Sequence, residues 1–214
     1  MTMMERNGIL MPPVVEFFFE FASTYSYPAA MRIDAIAAET GVEVHWRPFL
    51  LGPIFKAQGW DTSPFNLYEA KGRYMWRDLA RICAADGLPF RRPDPFPQNS
   101  LLAARVALVG LKQAWGKEFV RAVYRAEFAD GRNIADENVL TDLLRAVGEA
   151  PEETLALARS EEIKAELRGN TAAAEERGIF GAPSFVAAGE LFWGNDRLEQ
   201  AFAWARNRGA GGAG

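Results

Sequence analysis

The hydrophobic pattern near the start of the chain is typical of a strand, a helix and a second strand. Residues 14–21 are almost continuously apolar, which predicts a short buried strand with Phe17 and Phe18 on opposite faces. Residues 24–40 carry alanine and isoleucine at helical spacing and end before a glycine. Residues 42–48 alternate between apolar and polar side chains, which predicts a strand. Together these segments predict a β-α-β unit whose strands are parallel.

The middle of the chain has a helical pattern and no strand pattern. It begins with a turn-rich stretch at residues 51–64, and apolar residues then recur at helical spacing between glycine-rich and proline-rich breaks. The predicted helices are residues 72–86, 100–115, 118–129, 136–147 and 152–177.

Near the end of the chain the pattern returns to strands. Residues 184–188 and 191–193 read as two short strands, and residues 197–206 read as a closing amphipathic helix. The glycine-rich residues 208–214 predict a disordered tail.

The order of elements predicts an α/β fold of the form β-α-β…β-β-α with helices inserted between its halves. One discontinuous domain comprises residues 14–50 and 179–207. An inserted all-helical domain comprises residues 51–178.

Composition narrows the class of protein. The 214 residues are 49% hydrophobic and 12% aromatic, which indicates a folded chain with a sizeable core. The net charge of -4 gives no reason to expect a nucleic-acid partner or an anionic membrane, and no apolar run approaches the length of about 20 residues that spans a bilayer. Residues 1–13 have no signal-peptide core, so we expect a cytoplasmic protein. With Cys83 as the one cysteine and His45 as the one histidine, an internal disulfide and a cysteine-histidine metal cluster are excluded.

Two distant segments carry the candidate chemistry. Residues 17–27, FFFEFASTYSY, run from a strand into S-T-Y-S, where a thioredoxin-like redox enzyme carries C-x-x-C. Ser23 therefore stands where the attacking sulfur would be. Residues 179–195, IFGAPSFVAAGELFWGN, have the form of the proline loop that faces such a site. The pair predicts a thioredoxin-type site for a thiol that the protein does not itself supply, and it disfavours a thiol-disulfide oxidoreductase.

Three motifs together resemble a known family. They are F-E-F-x-S-x-Y-S-Y at residues 19–27, K-G-x-Y-M-x-x-D-L at residues 71–79, and I-F-G-A-P-S-F…F-W-G-N-D-R-L at residues 179–198. The chain resembles the 2-hydroxychromene-2-carboxylate isomerases over residues 14–204. That group is similar to the kappa-class glutathione transferases and, more distantly, to the periplasmic disulfide oxidases. The resemblance implies a thioredoxin-like fold and glutathione as the cofactor.

The resemblance also implies roles for residues at the thiol. Ser23 would match the hydroxyl that hydrogen-bonds the sulfur of bound glutathione. Pro183 would match the cis-proline of the thioredoxin fold, and the backbone of Ala182 would pair with the cysteinyl part of the tripeptide. Because a thiol has a pKa of about 8.5 in water, a hydroxyl donor and a helix N-terminus near the sulfur would raise its thiolate fraction.

Other positions match the ends of the tripeptide. Asn195 and Asp196 would match the pair that holds the γ-glutamyl end, and Lys71 would match a lysine near the glycine carboxylate. The chain departs from the family pattern twice. Thr24 replaces the proline that usually follows the serine, and residues 59–64, GWDTSP, replace the family's G-N-x-P-P.

The implied function is a glutathione-dependent cis-trans isomerisation in aromatic degradation. The thiolate would add to a conjugated carbon of 2-hydroxychromene-2-carboxylate or a similar aromatic-derived 2-oxo acid, and would leave after rotation about the resulting single bond. The partners would be a small aromatic substrate and a second copy of the chain in a homodimer. Two alternatives remain open, a kappa-like glutathione transferase and a non-catalytic binding module with the same fold.

Several of these residues also have purely structural interpretations. Ser23 would suit a helix N-cap. Glu20 would suit a hydrogen-bonded structural carboxylate instead of a proton relay. Asp196 would suit the first turn of a helix, where the helix dipole favours a negative charge. His45 and Cys83 are interpreted as structural. Five aromatic side chains in the middle of the chain would suit either a pocket for a planar substrate or the hydrophobic core. They are Tyr68, Tyr74, Trp76, Phe90 and Phe96.

Overall fold

The computed structural model describes residues 12–60 and 64–210 of the chain. Predictions about the N-terminal stretch, about the centre of the segment 59–64 and about the last residues of the tail lie outside the described residues.

A mixed sheet of four strands forms the centre of the fold, in the order β2-β1-β3-β4. Strand β1 runs parallel to β2, with Phe17 opposite Trp46, and antiparallel to β3, with Phe17 opposite Phe185. Strand β3 then pairs antiparallel with β4. The strands are β1 Val14–Phe19, β2 Glu43–Pro48, β3 Ser184–Ala187 and β4 Glu190–Trp193. The predicted parallel β-α-β unit and closing hairpin are thus confirmed, and both belong to one sheet.

The remaining elements are helical. They are α1 Ser26–Thr40, α2 Leu51–Ala57, α3 Pro64–Leu67, α4 Glu69–Ala85, α5 Leu101–Leu111, α6 Gly116–Phe128, α7 Glu137–Ala146, α8 Pro151–Ala158, α9 Glu161–Glu176, a 3₁₀ turn Asn195–Arg197, and α10 Leu198–Ala210. The order confirms the thioredoxin-like β-α-β…β-β-α fold with helices between its halves. The division into two domains stays a prediction.

Two local predictions were wrong. The single helix expected at residues 152–177 is broken into α8 and α9, because the Ser160 side chain accepts a hydrogen bond from Ile163 N and so begins a new helix. The turn-rich stretch at residues 51–64 contains α2 and the start of α3. Pro53 is compatible with α2 because it lies in the first turn, where a missing N–H leaves no helical bond broken.

The last helix is longer than expected. α10 continues to Ala210, so residues 208–210, which the sequence assigned to the tail, are helical. The Arg208 guanidinium lies 4.8 Å from the centre of the Trp204 ring one turn earlier, a contact that favours continuation of the helix.

The two faces of β1 bury two hydrophobic clusters. Phe17 and Phe19 lie in the larger cluster, which includes residues of α1, α5, α6 and α10. Phe18 lies in the smaller cluster with Phe49 and Ile54, which α9 also helps to cover. Both faces of the strand are therefore buried from solvent, as expected for a continuous apolar run. Within the described residues, no helix is long and apolar enough to cross a membrane.

Helices α5 and α6 approach closely at a pair of glycines. A Cβ added to Gly116 would overlap the backbone of Gly110 and Leu111, and a Cβ added to Gly110 would overlap the Trp115 ring. The connection between these core helices therefore depends on the absence of side chains at both positions.

We expect Gly116→Ala to lower the free energy of unfolding by about 1–3 kcal/mol, because backbone atoms must shift to admit the methyl group. Gly169→Ala is the matched control, since its Cβ would meet nothing within 4 Å on α9. That variant should be more stable by up to about 1 kcal/mol. Denaturant unfolding measures both, and equal stabilities for the two variants would contradict the packing argument.

Candidate active site

A cavity of about 1070 Å³ lies at the end of β1. Its wall is formed by residues 22–25 after β1, 50–53 at the start of α2, 96–101 before α5, and the two loops 180–182 and 193–196. Residues 50–53 follow β2 and residues 180–182 precede β3, and because both strands pair with β1, the sheet brings the two motifs of the sequence to one place.

Ser23 lies in the turn between β1 and α1. It is 8% exposed, and its Oγ donates a hydrogen bond of 2.8 Å to the carbonyl oxygen of Ala182. Helix α1 begins at Ser26 with Tyr25 as its N-cap residue and with no side-chain capping bond. The Ser23 side chain therefore does not cap α1, and the alternative that made this serine a structural cap is wrong.

The proline loop lies opposite Ser23. The Ala182–Pro183 peptide bond is cis, as expected. Ser184 Oγ donates to Gly181 O at 2.8 Å, and a Cβ on Gly181 would overlap the Trp193 indole. These contacts fix the loop that carries Ala182 toward the cavity. Pro183 itself is not among the residues that line the cavity.

The predicted residues for the ends of the ligand also lie on the cavity wall. Asn195 is buried and Asp196 is exposed, and both belong to the 3₁₀ turn that precedes α10. Lys71 is an exposed residue of α4, with its Nζ 5.0 Å from the centre of the Tyr68 ring. Together with Ser23 and the backbone of Ala182, these side chains face one cavity although they come from distant parts of the chain.

One face of α4 forms the opposite wall. Lys71, Met75, Asp78 and Ile82 recur at spacings of three and four residues and all line the cavity. Among these four residues, only Lys71 was predicted from the sequence. Helical spacing within the K-G-x-Y-M-x-x-D-L motif was the signal that would have predicted Met75 and Asp78, whereas Ile82 lies beyond the motif, one turn further along α4.

Asp78 is part of a polar group on this wall. Tyr25 OH donates to Asp78 Oδ2 at 3.0 Å, and Arg81 donates to Asp78 Oδ1 at 2.9 Å. Burial, followed by the hydrogen bond to Asp78, raises the pKa of Tyr25 well above its usual value. Tyr25 therefore remains a protonated donor beside Ser23 at neutral pH.

Glu20 is a buried carboxyl group directly below Ser23. It lines the cavity and its Oε1 accepts hydrogen bonds from Ser100 Oγ at 2.5 Å and Ala22 N at 3.2 Å. Burial raises its pKa, and the hydrogen bond from Ser100 only partly opposes the shift. The sequence motif contained Glu20, but Ser100 is 80 residues away and only the folded chain brings it to this carboxyl group.

A second buried carboxyl group lies in α6. Glu127 is 0% exposed, and neither carboxylate oxygen has a hydrogen-bond partner among the described residues. Burial and then the charge of Glu20 raise the pKa of Glu127 well above its usual value. The protonated form of Glu127 is therefore favoured in the folded protein, because a buried carboxylate without partners is strongly disfavoured.

The aromatic group predicted for either pocket or core is divided between the two. Tyr74 and Phe96 line the cavity. Trp76 and Phe90 are partly buried and pack against the larger cluster, whereas Tyr68 is exposed.

His45 pairs with Glu43 on β2 and is not part of the cavity wall. Across the described ranges, no group of three or more histidine, cysteine, aspartate or glutamate residues could hold a metal ion.

Comparison with known proteins gives the class of the fold and then the family. A family model described as a DSBA-like thioredoxin domain matches residues 14–202. A 2-hydroxychromene-2-carboxylate isomerase of Sphingobium xenophagum is 30% identical over 190 residues, which are 88% of this chain and 96% of that protein. The chain therefore belongs to the DSBA-like thioredoxin domain family and, within it, to the family of 2-hydroxychromene-2-carboxylate isomerases.

Two further relatives agree with this placement. A solved structure of a 2-hydroxychromene-2-carboxylate isomerase superposes with a TM-score of 0.81 at 25% identity, covering 91% of this chain and 95% of that one. A protein named glutathione S-transferase kappa 2 of Caenorhabditis elegans is 26% identical over 87% of this chain and 89% of its own length. The resemblance that the sequence motifs indicated is thus confirmed.

The raised pKa of Glu127 predicts a specific dependence of stability on pH. The unfolded chain titrates this group near its ordinary pKa of about 4.3, and the folded chain titrates it at higher pH. The contribution of protonated Glu127 to the free energy of unfolding is therefore fully present below about pH 4. It is lost as pH rises toward the pKa of Glu127 in the folded protein.

We expect Glu127→Gln, which cannot ionise, to be more stable than the wild type at neutral pH, with a difference that grows as pH rises from about 5 into the neutral range. Chemical denaturation at several pH values measures this difference. Glu118→Gln, an exposed change on the same helix, is the control and should show no such trend. A constant difference between Glu127→Gln and wild type across this range would show that Glu127 titrates normally.

Proposed function

We propose that the chain is a glutathione-dependent isomerase that acts on 2-hydroxychromene-2-carboxylate or a similar aromatic-derived 2-oxo acid. The observation that carries the proposal is the buried Ser23 hydroxyl at the cavity wall, where a thioredoxin-type oxidoreductase would have its own thiol. The one cysteine is elsewhere, in the core, where burial raises the pKa of Cys83 to about 11. A thiol that reacts at Ser23 must therefore come from a ligand.

The cavity suits glutathione together with a second small molecule. Its volume of about 1070 Å³ is slightly above the range of about 300–1,000 Å³ that is usual for small-molecule sites. Asp196 offers a carboxylate for the ammonium group of the γ-glutamyl end, and Lys71 offers a cation for the glycine carboxylate. The backbone of Ala182 would pair with the cysteinyl part in the manner of an added strand.

When bound, glutathione supplies a thiolate that adds reversibly to a conjugated carbon, so that the former double bond rotates before the thiolate leaves. Ser23 has a single hydroxyl proton, which it donates to Ala182 O in the structure. Rotation of the hydroxyl would redirect this donor to sulfur, and the N-terminus of α1, which begins at Ser26, adds a favourable dipole. Both effects would lower the pKa of a bound thiol.

Glu20 is suited to take up the proton that a thiol releases. It is on the same cavity wall as Ser23, and its raised pKa makes it a stronger base than an ordinary glutamate. Ser23 cannot serve as that base, because a neutral hydroxyl is a weak proton acceptor.

The other part of the cavity suits a planar aromatic substrate. Its lining is rich in large apolar side chains from several elements. They include Phe55, Trp60, Phe65, Met75, Ile82 and Phe96. Because Tyr25 donates its one hydroxyl proton to Asp78, its phenolic oxygen would accept a hydrogen bond from a hydroxyl group of the substrate.

A kappa-like glutathione transferase is the second candidate, favoured by the relative of that name. The two functions differ in the fate of glutathione, which an isomerase returns unchanged and a transferase leaves on the product. Measuring free thiol during turnover distinguishes them. A binding module without turnover is the third candidate. The homodimer and the cytoplasmic location stay predictions.

Substitution of Ser23 tests the proposal directly. We expect Ser23→Ala to raise the apparent pKa of enzyme-bound glutathione, as measured by ultraviolet absorbance of the thiolate, and to reduce turnover at neutral pH. The loss of turnover should shrink as pH rises, because solvent then removes the proton without help from the hydroxyl.

Ser184→Ala is the matched control. It removes a buried bond of the same length from a serine hydroxyl to a carbonyl in the proline loop, yet Ser184 does not line the cavity. Both variants should lose about 1 kcal/mol of stability, and only Ser23→Ala should change the thiol pKa. An unchanged thiol pKa in Ser23→Ala would remove Ser23 from the mechanism.

A further inference from the structure

Arg32 connects the cavity wall to the helix behind it. From α1, its Nη2 donates to Asn195 Oδ1 at 3.0 Å and makes a longer contact of 3.4 Å with Asn195 O. Its Nη1 donates to Glu199 Oε1 at 2.6 Å, and its Nε lies 3.3 Å from Asp86 Oδ2. The guanidinium group is thus held by carboxylates from α4's C-terminal end and from α10 while it contacts Asn195.

This contact determines the orientation of the Asn195 amide. A guanidinium group carries only donors, so the amide atom that faces Arg32 must be the oxygen. The Nδ2 group then points away from Arg32. Among the described residues no hydrogen bond uses Asn195 Nδ2, and Asn195 is a buried residue of the cavity wall. The geometry leaves two N–H donors for a ligand in the cavity.

We infer that Arg32 is a positioning residue that makes this end of the cavity selective for an α-amino acid group. By holding Asn195 Oδ1, Arg32 presents Asn195 Nδ2 to the α-carboxylate of the γ-glutamyl end, while Asp196 accepts from the neighbouring ammonium group. This inference rests on the proposed function, because it assumes that glutathione is the ligand. A flipped amide would place its oxygen against the carboxylate and would repel it.

Arg32 acts through orientation and not through its own charge. Asp86 and Glu199 both contact the guanidinium group, so the positive charge is already balanced by carboxylates. A balanced charge contributes little long-range attraction to an anionic ligand. The hydrogen bond to Asn195 Oδ1 is what remains to affect binding.

Arg32 also connects α1 to α10, so a loss of stability alone would not support the inference. Arg121 provides a matched control. Its Nη1 donates to Asp34 on α1 at 2.7 Å, and its side chain is 27% exposed, compared with 28% for Arg32. It is not part of the cavity wall. Arg121→Met should therefore lower the melting temperature without changing ligand affinity.

The experiment measures Kd by calorimetry for reduced glutathione and for cysteinylglycine, which lacks the γ-glutamyl group. We expect Arg32→Met to raise the Kd of glutathione about tenfold and to leave that of cysteinylglycine unchanged. Asn195→Ala should have the same effect, and adding Arg32→Met to it should cost nothing more, because both changes remove one interaction. Arg32→Lys, which keeps a donor for Asn195 Oδ1, should restore most of the affinity.

The outcomes separate the inference from the proposed function. If Asn195→Ala weakens glutathione binding and Arg32→Met does not, the inference is wrong and the proposed site stands. If the wild type does not bind glutathione, the proposed function fails and the inference fails with it. Should Arg32→Met not fold, Arg32→Leu gives the same comparison, because leucine also has no donor for Asn195 Oδ1, and wild-type affinity for glutathione in that variant would overturn the inference.

Discussion

The antiparallel pairing of β3 with β1 is the constraint on which the site depends. The register places Phe18 opposite Ser184, so the residues that follow β1 meet the residues that precede β3. Ser23 and Ala182 are 159 residues apart, yet this pairing brings their side chain and carbonyl within hydrogen-bonding distance. The helices α2 and α4 have a second role besides contributing to the core, because their residues also line the cavity around the Ser23 turn.

The chemistry of the site follows from what this turn contains and from what lies below it. A hydroxyl group replaces a thiol, so the site offers a donor to sulfur and no sulfur of its own. Below it, Glu20 is held by Ser100, and the protonated Glu127 lies deeper in the same core. Burial raises the pKa of both carboxyl groups, and the charge of Glu20 raises the pKa of Glu127 further, so each binds a proton more readily than an exposed glutamate. This part of the core can hold two acidic side chains because burial favours their neutral forms over their charged forms.

The sequence predicted the parts of this structure that depend on local pattern. Alternating and continuous apolar runs predicted β1, β2 and the closing hairpin, and the paired motifs predicted that Ser23 and Ala182 would meet. The break at Ser160 was missed because one capping serine was outweighed by a continuous helical pattern. The contact of Ser100 with Glu20 and the fixed amide of Asn195 were not predictable in this way. Both depend on residues that are distant in sequence, and no local pattern identifies which buried polar groups become partners.

The central claim is that the cavity binds a thiol next to Ser23, and that a ligand supplies this thiol instead of a cysteine of the protein. The most direct measurement is the intact mass of Ser23→Cys after exposure to oxidised glutathione. The new thiolate would attack the disulfide, form a mixed disulfide and release one molecule of glutathione. The account predicts that the variant gains one glutathionyl group faster than it reacts with hydroxyethyl disulfide, whereas the wild type, with only the buried Cys83, stays unmodified. A folded variant that stays unmodified, or that reacts equally with both disulfides, would contradict the claim.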